Sequence, residues 1–405
     1  MTETNLSQTI QATPLVSFLA ASRPQPELIA YRGVLTPACL DETEREIDSL
    51  AHGAAIYDLG WKRRVAVRGE DRFRWLSGMV TNTVNDLFPN SGAWNYVLNA
   101  QGHILGDVAV WRGAEELSPL HRNPAGDAKT ALAQSDPMQG TPFAGESGLE
   151  LELDADQLEK LLEHFNRFII MDDVELVVLH EKVAGHPAAE VTLGLSGPQA
   201  AEVLERMGLP SFALPLRGAQ VDWNGWSVRI QRTYGVLTPH YELRIPAAGL
   251  RKLWLFLSAA GAVPVGVESL EAFRVAEGIP AYGIDIAERD LPQETSQMRA
   301  LHFNKGCYQG QEVVERIHAR GNVRRHLRPI ELDGPLPVAG TKLLLASGSE
   351  AGTITSAAAL PLAGHTRAFA LAMLRAEAET GEQSFSYAAG ETSGKARILA
   401  TPPTL

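Results

Sequence analysis

The chain is an acidic protein of 405 residues with a formal net charge of −12. This length exceeds what one small core needs, so we expect about two or three domains. Two cysteines, Cys39 and Cys307, are too few for a disulfide framework, which favours a reducing cytoplasm. Gly261 and Pro264 interrupt the most apolar run, residues 253–267. That run is also shorter than the ~20 residues that cross a bilayer, so we expect no membrane span.

The N-terminal part of the chain predicts short strands that alternate with turns and helices. Residues 1–30 are polar and contain proline, which is typical of a loose leader. Residues 64–67 indicate a strand, and residues 69–71 open a helix. Apolar residues at 96–98 and 104–111 predict the two strands of a hairpin.

The middle of the chain combines an irregular insertion with helices. Residues 113–148 are rich in glycine, proline, serine and alanine and lack an apolar period, so we predict a mobile insertion loop. Asp154 with Gln157, and Ser196 with Gln199, have the spacing of capping pairs. Each pair therefore predicts the start of a helix.

The C-terminal half predicts two more helices and then a unit made of strands. Residues 250–257 place apolar side chains at helical spacing, and residues 268–277 form a second helix that a glycine stops. From about Leu327, short apolar runs between glycine-rich turns predict an antiparallel β-barrel of roughly 75 residues. The sequence thus predicts an α+β region over residues 31–326 and a β-barrel over residues 327–405.

One of the two cysteines lies in the most unusual segment of the chain, Lys305-Gly306-Cys307-Tyr308-Gln309-Gly310-Gln311-Glu312. The nearby lysine favours the thiolate form of Cys307, and the two glycines allow a ligand or a second protein to approach closely. The alternative is that Cys307 is a small buried apolar residue. Four-thiolate iron–sulfur ligation needs more cysteines than the chain has, so we expect no metal site built by this chain alone.

A cluster of basic residues follows the cysteine segment. Residues 316–328 contain no acidic residue, although the whole chain is acidic. Such a cluster can bind phosphate, a polyglutamate tail or an RNA backbone, or it can be a solvated surface. No aromatic residue is interleaved with it, and we therefore expect no direct nucleic-acid binding. The basic residues are Arg316, His318, Arg320, Arg324, Arg325, His326 and Arg328.

Two charged residues are candidates for ligand binding. Asp107 follows a tight turn on a predicted strand, where it can hold an amine or a pterin nitrogen, or can simply end the strand. Arg274 lies in an apolar helix, where a buried guanidinium needs a carboxylate partner such as Glu277 or Asp285. A structural salt bridge and ligand binding therefore remain alternatives. Three aromatic residues are either core side chains or cofactor platforms: Trp61, Trp94 and Tyr234.

The string from Lys305 to Glu312 is identified as the signature of the YgfZ-type proteins, which are relatives of the glycine-cleavage T-protein, an aminomethyltransferase. Other segments resemble the same superfamily and follow in the same order, over about residues 35–400. They are residues 65–72, 99–102, 195–198, 274–280 and 291–294.

This resemblance implies a cloverleaf of folate-binding α+β subdomains around a central channel, closed by the C-terminal β-barrel. It also implies that the ligand is tetrahydrofolate or a derivative, and that the partners are iron–sulfur client proteins, including radical enzymes that modify tRNA. An accessible Cys307, tuned by Lys305, would face the channel and carry the redox or cluster-linked step. Tyr308, Gln311 and Glu312 would shape its loop. The folate-binding residues would be Trp61, Asn99, Asp107, Arg232 and Arg274.

The sequence departs from the aminomethyltransferases at two places. Those enzymes carry two adjacent acidic residues where this chain has Gly106-Asp107. Their Tyr-Thr-Gly-Glu-Asp-Gly hairpin is replaced by residues 235–240, with Thr238 in place of the glutamate. The leading hypothesis is therefore a cytoplasmic folate-binding accessory factor for iron–sulfur cluster assembly or repair. The alternative is a folate-dependent aminomethyltransferase or demethylase in which Asp107 orients an amine nitrogen.

Overall fold

The fold is given by a computed structural model, which describes residues 10–19, 25–113, 148–179, 190–321, 323–362, 364–379 and 384–405. The helices are α1 (Pro14–Leu19), α2 (Thr43–His52), α3 (Arg72–Met79), α4 (Leu158–Asn166), α5 (Ala200–Arg206), α6 (Leu250–Ala259), α7 (Val267–Glu277), α8 (Gln311–Arg320) and α9 (Ala376–Glu379). The strands are β1 (Leu28–Tyr31), β2 (Val34–Pro37), β3 (Ala55–Asp58), β4 (Lys62–Arg68), β5 (Ser91–Leu98), β6 (Ile104–Arg112), β7 (Leu149–Asp154), β8 (Glu175–Val178), β9 (Glu190–Ser196), β10 (Arg217–Trp223), β11 (Trp226–Thr233), β12 (His240–Pro246), β13 (Val263–Pro264), β14 (Arg325–Asp333), β15 (Lys342–Leu344), β16 (Glu350–Leu362), β17 (His365–Arg375), β18 (Ser384–Ala389) and β19 (Thr392–Ile398).

One long sheet organises the α+β region. Its strand order is β13-β3-β9-β12-β11-β10-β5-β6-β7-β4-β8, and β1 pairs with β2 in a separate small sheet. The long sheet has two halves, which meet where β10 pairs with β5 at Arg217 opposite Ser91. Each half has its own hydrophobic core. The predicted hairpin is confirmed as β5 and β6.

Helices pack on both halves of the sheet. In α6, four apolar side chains at helical spacing are buried in one cluster with residues of β9 and β12, as predicted. α3 and α4 contribute to the core of the other half in the same manner. α7 ends at Gly278, whose φ of 72° is a left-handed conformation that glycine adopts without strain. The buried residues of α6 are Leu250, Leu253, Trp254 and Leu257.

The C-terminal unit is a closed antiparallel barrel with the strand order β14-β17-β16-β15-β18-β19. Its first strand begins at Arg325, slightly before the expected boundary. Leu360 and Phe369 of the barrel share a core with Leu50 of α2 and Phe273 of α7, so the barrel is attached to the α+β region by apolar packing. The prediction of an α+β cloverleaf with a C-terminal β-barrel is confirmed.

Several local predictions need correction. Within the expected loose leader, residues 14–19 form α1, whose Leu15 is buried in the core. Asp154 does not cap α4, because Lys62 and Arg32 bind its carboxylate. These ion pairs outcompete a backbone cap because both partners are charged. The predicted insertion loop falls, apart from its two ends, outside the described residues.

The second capping pair is also engaged elsewhere. The Ser196 hydroxyl lies 2.7 Å from the Tyr57 hydroxyl and 2.8 Å from His240 Nδ1. Gln199 Nε2 donates to the carbonyl oxygen of His52. Both helices form where they were predicted, but tertiary contacts rather than local caps use the polar side chains.

Candidate functional site

A cavity of about 270 Å³ lies where residues from both halves of the sheet converge with α7. Aromatic rings form much of its wall, and charged groups from β4, β7, β12 and α7 complete it. A concave, largely aromatic site with a few polar groups is typical of small-molecule binding. The aromatic residues of the wall are Tyr31, Tyr57, Trp61, Trp94, Trp111, Phe273, Tyr234 and Tyr282.

Three of the five residues expected to bind folate line this cavity, namely Trp61, Asp107 and Arg274. Trp61 lines the cavity although it is only 5% exposed. The Asp107 carboxylate accepts hydrogen bonds from Trp94 Nε1 at 2.9 Å and from Gln157 Nε2 at 3.0 Å. A carboxylate has about four acceptor positions, so Asp107 retains capacity to bind a ligand.

Arg274 lies in the cavity wall but already has protein partners. Its Nη1 donates to Asp285 Oδ2 at 2.7 Å and to the carbonyl oxygen of Ile279. Its Nε and Nη2 donate to the Glu271 carboxylate. Of the two expected candidates, Asp285 is thus a carboxylate partner of Arg274, as Glu271 also is, whereas Glu277 contacts other groups. This arrangement corresponds to the structural salt bridge, the first of the two alternatives for Arg274.

Glu277 fixes the loop between β11 and β12. Its carboxylate accepts hydrogen bonds from the backbone nitrogens of Val236 at 3.0 Å and Leu237 at 2.9 Å, and it lies 3.0 Å from His240 Nε2. Burial opposes protonation of His240, but the Glu277 carboxylate raises its pKa. The loop of residues 235–240 stands where the aminomethyltransferases have their Tyr-Thr-Gly-Glu-Asp-Gly hairpin. In this protein the Glu277 carboxylate of α7 therefore stabilises that loop.

Two carboxylates of the cavity wall share one arginine. Arg64 contacts Glu152 of β7 through Nη1 and Glu242 of β12 through Nη2, the latter at 3.1 Å. Burial and the neighbouring Glu152 raise the pKa of Glu242 to about 7. Arg64 and Lys62 overcome the effect of burial on Glu152 and lower its pKa. Near neutral pH the pair can therefore hold one proton.

We did not predict this ionic layer from the sequence, although a signal exists. Charged residues recur at every second position of β7 and, from Glu242 to Arg244, of β12, and Lys62 and Arg64 lie two positions apart in β4, so these side chains point to one face of each strand. In an antiparallel sheet such a face is usually solvated. In this protein the charged faces of β4, β7 and β12 lie together in the interior. The residues are Lys62, Arg64, Glu150, Glu152, Asp154, Glu242 and Arg244.

Asn99 and Arg232 do not line this cavity, so their predicted contacts with folate gain no support from it and stay predictions. Asn99 Oδ1 accepts hydrogen bonds from the backbone nitrogens of Gln101 and His103, both at 3.0 Å, and so shapes the hairpin turn. Arg232 Nη1 donates to the carbonyl oxygens of residues 212–213, both at 2.6 Å. Both side chains therefore form hydrogen bonds to backbone groups of neighbouring turns and loops.

Cys307 is exposed, as the catalytic hypothesis requires, but it does not line the cavity. This position does not support the expectation that the thiol faces a folate channel, which stays a prediction. Lys305 Nζ donates to the carbonyl oxygens of Ser77, Val80 and Asn82 at 2.6 to 2.8 Å. Burial lowers the pKa of Lys305 to about 7, although three carbonyl acceptors favour the ammonium form. Because these acceptors occupy all three ammonium donors, Lys305 anchors the loop rather than pairing with the thiol.

The other residues of the cysteine segment shape its loop. Tyr308 is buried in a small core with Tyr96 and Val314. Gln311 Oε1 accepts a hydrogen bond from the backbone nitrogen of Tyr308 at 3.2 Å, and Glu312 is exposed in the first turn of α8. The predicted shaping role of Tyr308 and Gln311 is consistent with these contacts.

Asn82 connects the cysteine loop to the cavity wall. Its backbone oxygen accepts a hydrogen bond from Lys305, and its Nδ2 donates to the backbone oxygens of Trp94 at 3.1 Å and Arg299 at 2.8 Å. Trp94 and Arg299 both line the cavity. The thiol and the cavity are thus separate places on one hydrogen-bonded scaffold.

Part of the basic segment is neutralised by acidic partners. Arg325 contacts Asp290 and Glu294, and both His326 and Arg328 contact Glu379. His318 stacks on Phe303 with ring centroids 3.8 Å apart. Three exposed arginines of this segment have no acidic partner among the residues that the structure describes. They are Arg316, Arg320 and Arg324.

Within the described ranges, no group of three or more histidine, cysteine, aspartate or glutamate side chains is arranged to hold a metal ion. None of the helices that the structure describes has the length and apolar character needed to span a membrane.

Two protein-family models match the chain. The model described as "GCVT N-terminal domain" matches residues 170–305. The model described as "CAF17, C-terminal beta-barrel domain" matches residues 324–404 and so covers the barrel. The crystal structure of glycine cleavage system aminomethyltransferase T from Bartonella henselae has the same fold, with a TM-score of 0.78, 19% identity, and coverage of 97% of this chain and 98% of that one.

Relatives with different names match the chain. An aminomethyltransferase of Rubrobacter xylanophilus is 26% identical over 97% of this chain and 94% of its own length. The mitochondrial iron–sulfur cluster assembly factor IBA57 homolog of Neurospora crassa is 24% identical over 68% of this chain and 53% of its own length. These matches agree with the motifs that run in order along the sequence. The chain therefore belongs to the glycine-cleavage T-protein (aminomethyltransferase) superfamily, within which it carries the YgfZ-type cysteine signature.

Proposed function

We propose that the protein is a cytoplasmic, tetrahydrofolate-binding accessory factor for iron–sulfur cluster assembly or repair on client enzymes, such as those that modify tRNA. The observation that carries the proposal is the coexistence of an aromatic cavity and an exposed cysteine on one scaffold. The relative named as an iron–sulfur cluster assembly factor supports the assignment to cluster assembly.

The cavity wall fits a pteridine ring. Trp61 and Trp111 offer aromatic surface, and Asp107 offers a carboxylate acceptor for ring nitrogens that carry protons. Trp111 Nε1 is a buried donor without a partner among the described residues. Leaving a donor unsatisfied costs about 1–3 kcal/mol, so a ring acceptor that meets it would be favoured. Tetrahydrofolate, when bound, supplies a carrier for one-carbon units or a reduced pteridine.

Cys307 is the side chain that would contact the iron–sulfur client protein. It is exposed and lies four residues before α8, which presents Arg316 and Arg320 to solvent. Because Cys307 is separate from the cavity, the thiol step and folate binding do not require direct contact between sulfur and pteridine. Bound folate would instead stabilise the cavity wall. The cysteine loop is attached to that wall through the hydrogen bond between Lys305 and Asn82.

The test of the proposal has two parts. Calorimetric titration of the purified protein with tetrahydrofolate should show saturable binding. Trp61→Ala should weaken it, whereas Trp226→Phe, which changes a tryptophan outside the cavity wall, should not. Cys307→Ser should fold and bind tetrahydrofolate normally but fail to restore client iron–sulfur enzymes in a strain that lacks the protein. Absence of binding would refute the folate-binding part of the proposal, and full rescue by Cys307→Ser would refute the role of the thiol.

A second candidate function is a folate-dependent aminomethyltransferase or demethylase. The observation that favours it is the position of Asp107 in the cavity, where its carboxylate can orient an amine. The relatives named aminomethyltransferase add support. Transfer of the methylene carbon of a supplied aminomethyl thioether to tetrahydrofolate, which forms methylenetetrahydrofolate and releases ammonia and the thiol without an oxidant, would establish this function if it is lost in Asp107→Asn. No product at any substrate concentration would leave the accessory role as the better assignment.

A further inference from the structure

The loop between α4 and β8 presents three large apolar side chains to solvent. Phe168 is 38% exposed, Ile170 is 81% exposed and Met171 is 94% exposed. Single apolar side chains scattered over a surface are normal, whereas a group of neighbouring ones is typical of a site where another molecule binds. These three residues are called the apolar tip below.

Hydrogen bonds fix both ends of the segment that carries the apolar tip. At one end, Trp75 Nε1 donates to the carbonyl oxygen of Phe168 at 3.1 Å. At the other end, the backbone nitrogen of Asp173 donates to the Asp71 carboxylate at 2.9 Å, and the backbone nitrogen of Asp71 donates to the carbonyl oxygen of Asp173 at 3.2 Å. The tip is therefore held in place before any partner binds, so that binding would cost little conformational entropy.

Helix α3 joins the apolar tip to the cysteine loop. Trp75, which contacts the tip, belongs to this helix. Three residues further along α3, the carbonyl oxygen of Gly78 accepts a hydrogen bond from the backbone nitrogen of Gln309 at 3.0 Å. The two attachment points are about 5 Å apart along the helix axis, at 1.5 Å per residue. Because a stable interface covers about 800 Å² of each partner, one partner can cover both the tip and Cys307.

The charges beside the apolar tip favour a protein partner over a lipid surface. Three carboxylates, those of Asp71, Asp172 and Asp173, surround one guanidinium, that of Arg74. Anionic membranes attract clusters of basic residues, so an excess of carboxylates next to the tip disfavours membrane binding. A protein surface with an apolar pocket matches the exposed side chains of the tip.

We propose that the apolar tip is the docking point for the iron–sulfur client protein, which places an apolar pocket over Phe168, Ile170 and Met171 and its cluster-binding surface over Cys307. The proposal rests on the proposed accessory function and adds the chemistry of the partner's surface. Methionine is flexible and polarizable and adapts to differently shaped pockets. Such a tip therefore suits a factor that serves more than one client.

The test uses a double variant, Ile170→Ser with Met171→Ser, which removes two exposed apolar side chains and keeps the contacts that fix the segment. It should weaken docking by about 10- to 100-fold. In a strain that lacks the protein, the double variant at wild-type expression should therefore restore client enzymes poorly, measured as the content of modified nucleosides in tRNA. Expression raised about 100-fold should recover restoration, because only the affinity is reduced. Cys307→Ser should fail at both expression levels.

The matched control is Val338→Ser. This change removes an apolar side chain that is 77% exposed and precedes β15 in the barrel. The variant should restore the client enzymes as well as wild type does. Circular dichroism and urea unfolding check that each variant is folded, and if the double variant is not, Met171→Ser alone decides.

The outcomes separate this inference from the proposed function. Full restoration by the double variant at wild-type expression, while Cys307→Ser fails, would overturn docking at the tip and leave the accessory function standing. A wild-type protein that restores nothing would remove both. Failure of the folded double variant at both expression levels would contradict a role in affinity alone. Wild-type dimers that the double variant lacks, or binding of wild type alone to phosphatidylglycerol vesicles, would assign the tip to a second copy or to a membrane and overturn the inference.

Discussion

Glu242 is a carboxyl group whose titration should affect folding. Its pKa is raised to about 7 by burial and by Glu152, so the folded protein binds more protons than the unfolded chain between about pH 4.5 and 7. Stability from this group is therefore greatest at the acidic end of that range and falls as the pH rises through 7. Arg64 and Lys62 lower the pKa of Glu152 from 4.5 despite its burial, so Glu152 changes stability at lower pH, outside this range.

A Glu242→Gln variant should remove this dependence. The amide cannot ionise, so the fall in the free energy of unfolding between pH 5 and pH 7.5 should be smaller than in wild type by on the order of 1–3 kcal/mol. Urea unfolding at the two pH values measures it. Glu312→Gln, which changes an exposed glutamate, should keep the wild-type difference. An unchanged difference in Glu242→Gln would show that Glu242 stays ionised over the whole range.

At the scale of the element, the cysteine loop is held by side chains rather than by regular structure. Lys305 binds three carbonyl oxygens at and just after the end of α3, where the helix dipole favours a cation. Gly310, at a φ of 79°, packs so closely on the hairpin turn that a Cβ there would meet Asn99 O at 2.6 Å. Close packing thus explains the presence of Gly310 in the motif, and hydrogen bonds to the backbone explain that of Lys305. Cys307 remains exposed.

Replacing Lys305 with methionine should loosen this loop. Three buried carbonyl oxygens would lose a charged donor, which costs about 2 kcal/mol of stability. Hydrogen exchange of residues 302–310 should become faster, and urea unfolding should shift to lower concentration. Lys395→Met, at an exposed lysine of β19, should do neither. Unchanged exchange in Lys305→Met would mean that Tyr308 and Gly310 suffice to hold the loop.

At the scale of the whole molecule, Asp285 joins the cavity wall to the barrel. One carboxylate oxygen accepts a hydrogen bond from Arg274 of α7, and the other accepts from the hydroxyls of Thr355 and Ser356 of β16, both at 2.6 Å. The Asp285 side chain is 0% exposed. A single buried carboxylate thus couples barrel docking to the wall of the proposed folate site.

Asp285→Ala should therefore damage both stability and binding. Glu271 would remain as a carboxylate partner of Arg274, but the variant loses a buried charge-assisted contact and the acceptor of two hydroxyls, which should cost about 3 kcal/mol. Tetrahydrofolate affinity should fall in the fraction that remains folded, because Arg274 lines the cavity. Glu331→Ala, which breaks a more exposed pair within the barrel, should cost about 1 kcal/mol or less and leave affinity unchanged. Equal losses in the two variants, measured by urea unfolding, would contradict this coupling.

Local pattern was enough to predict the helices α6 and α7, the β5–β6 hairpin, the barrel and the family, because each depends on spacing or on a short motif. It also identified Trp61, Asp107 and Arg274 as cavity residues and Cys307 as an accessible thiol. Tertiary structure alone decided which polar side chains meet. Asp154, Asn99 and Arg232 bond to distant or backbone partners, and Cys307 lies outside the cavity. The surroundings of Arg299 and of the Arg64–Glu152–Glu242 group could be recognised only in the structure. Each is formed by segments that lie far apart in the chain. Their charges and rings interact only when the two halves of the sheet come together.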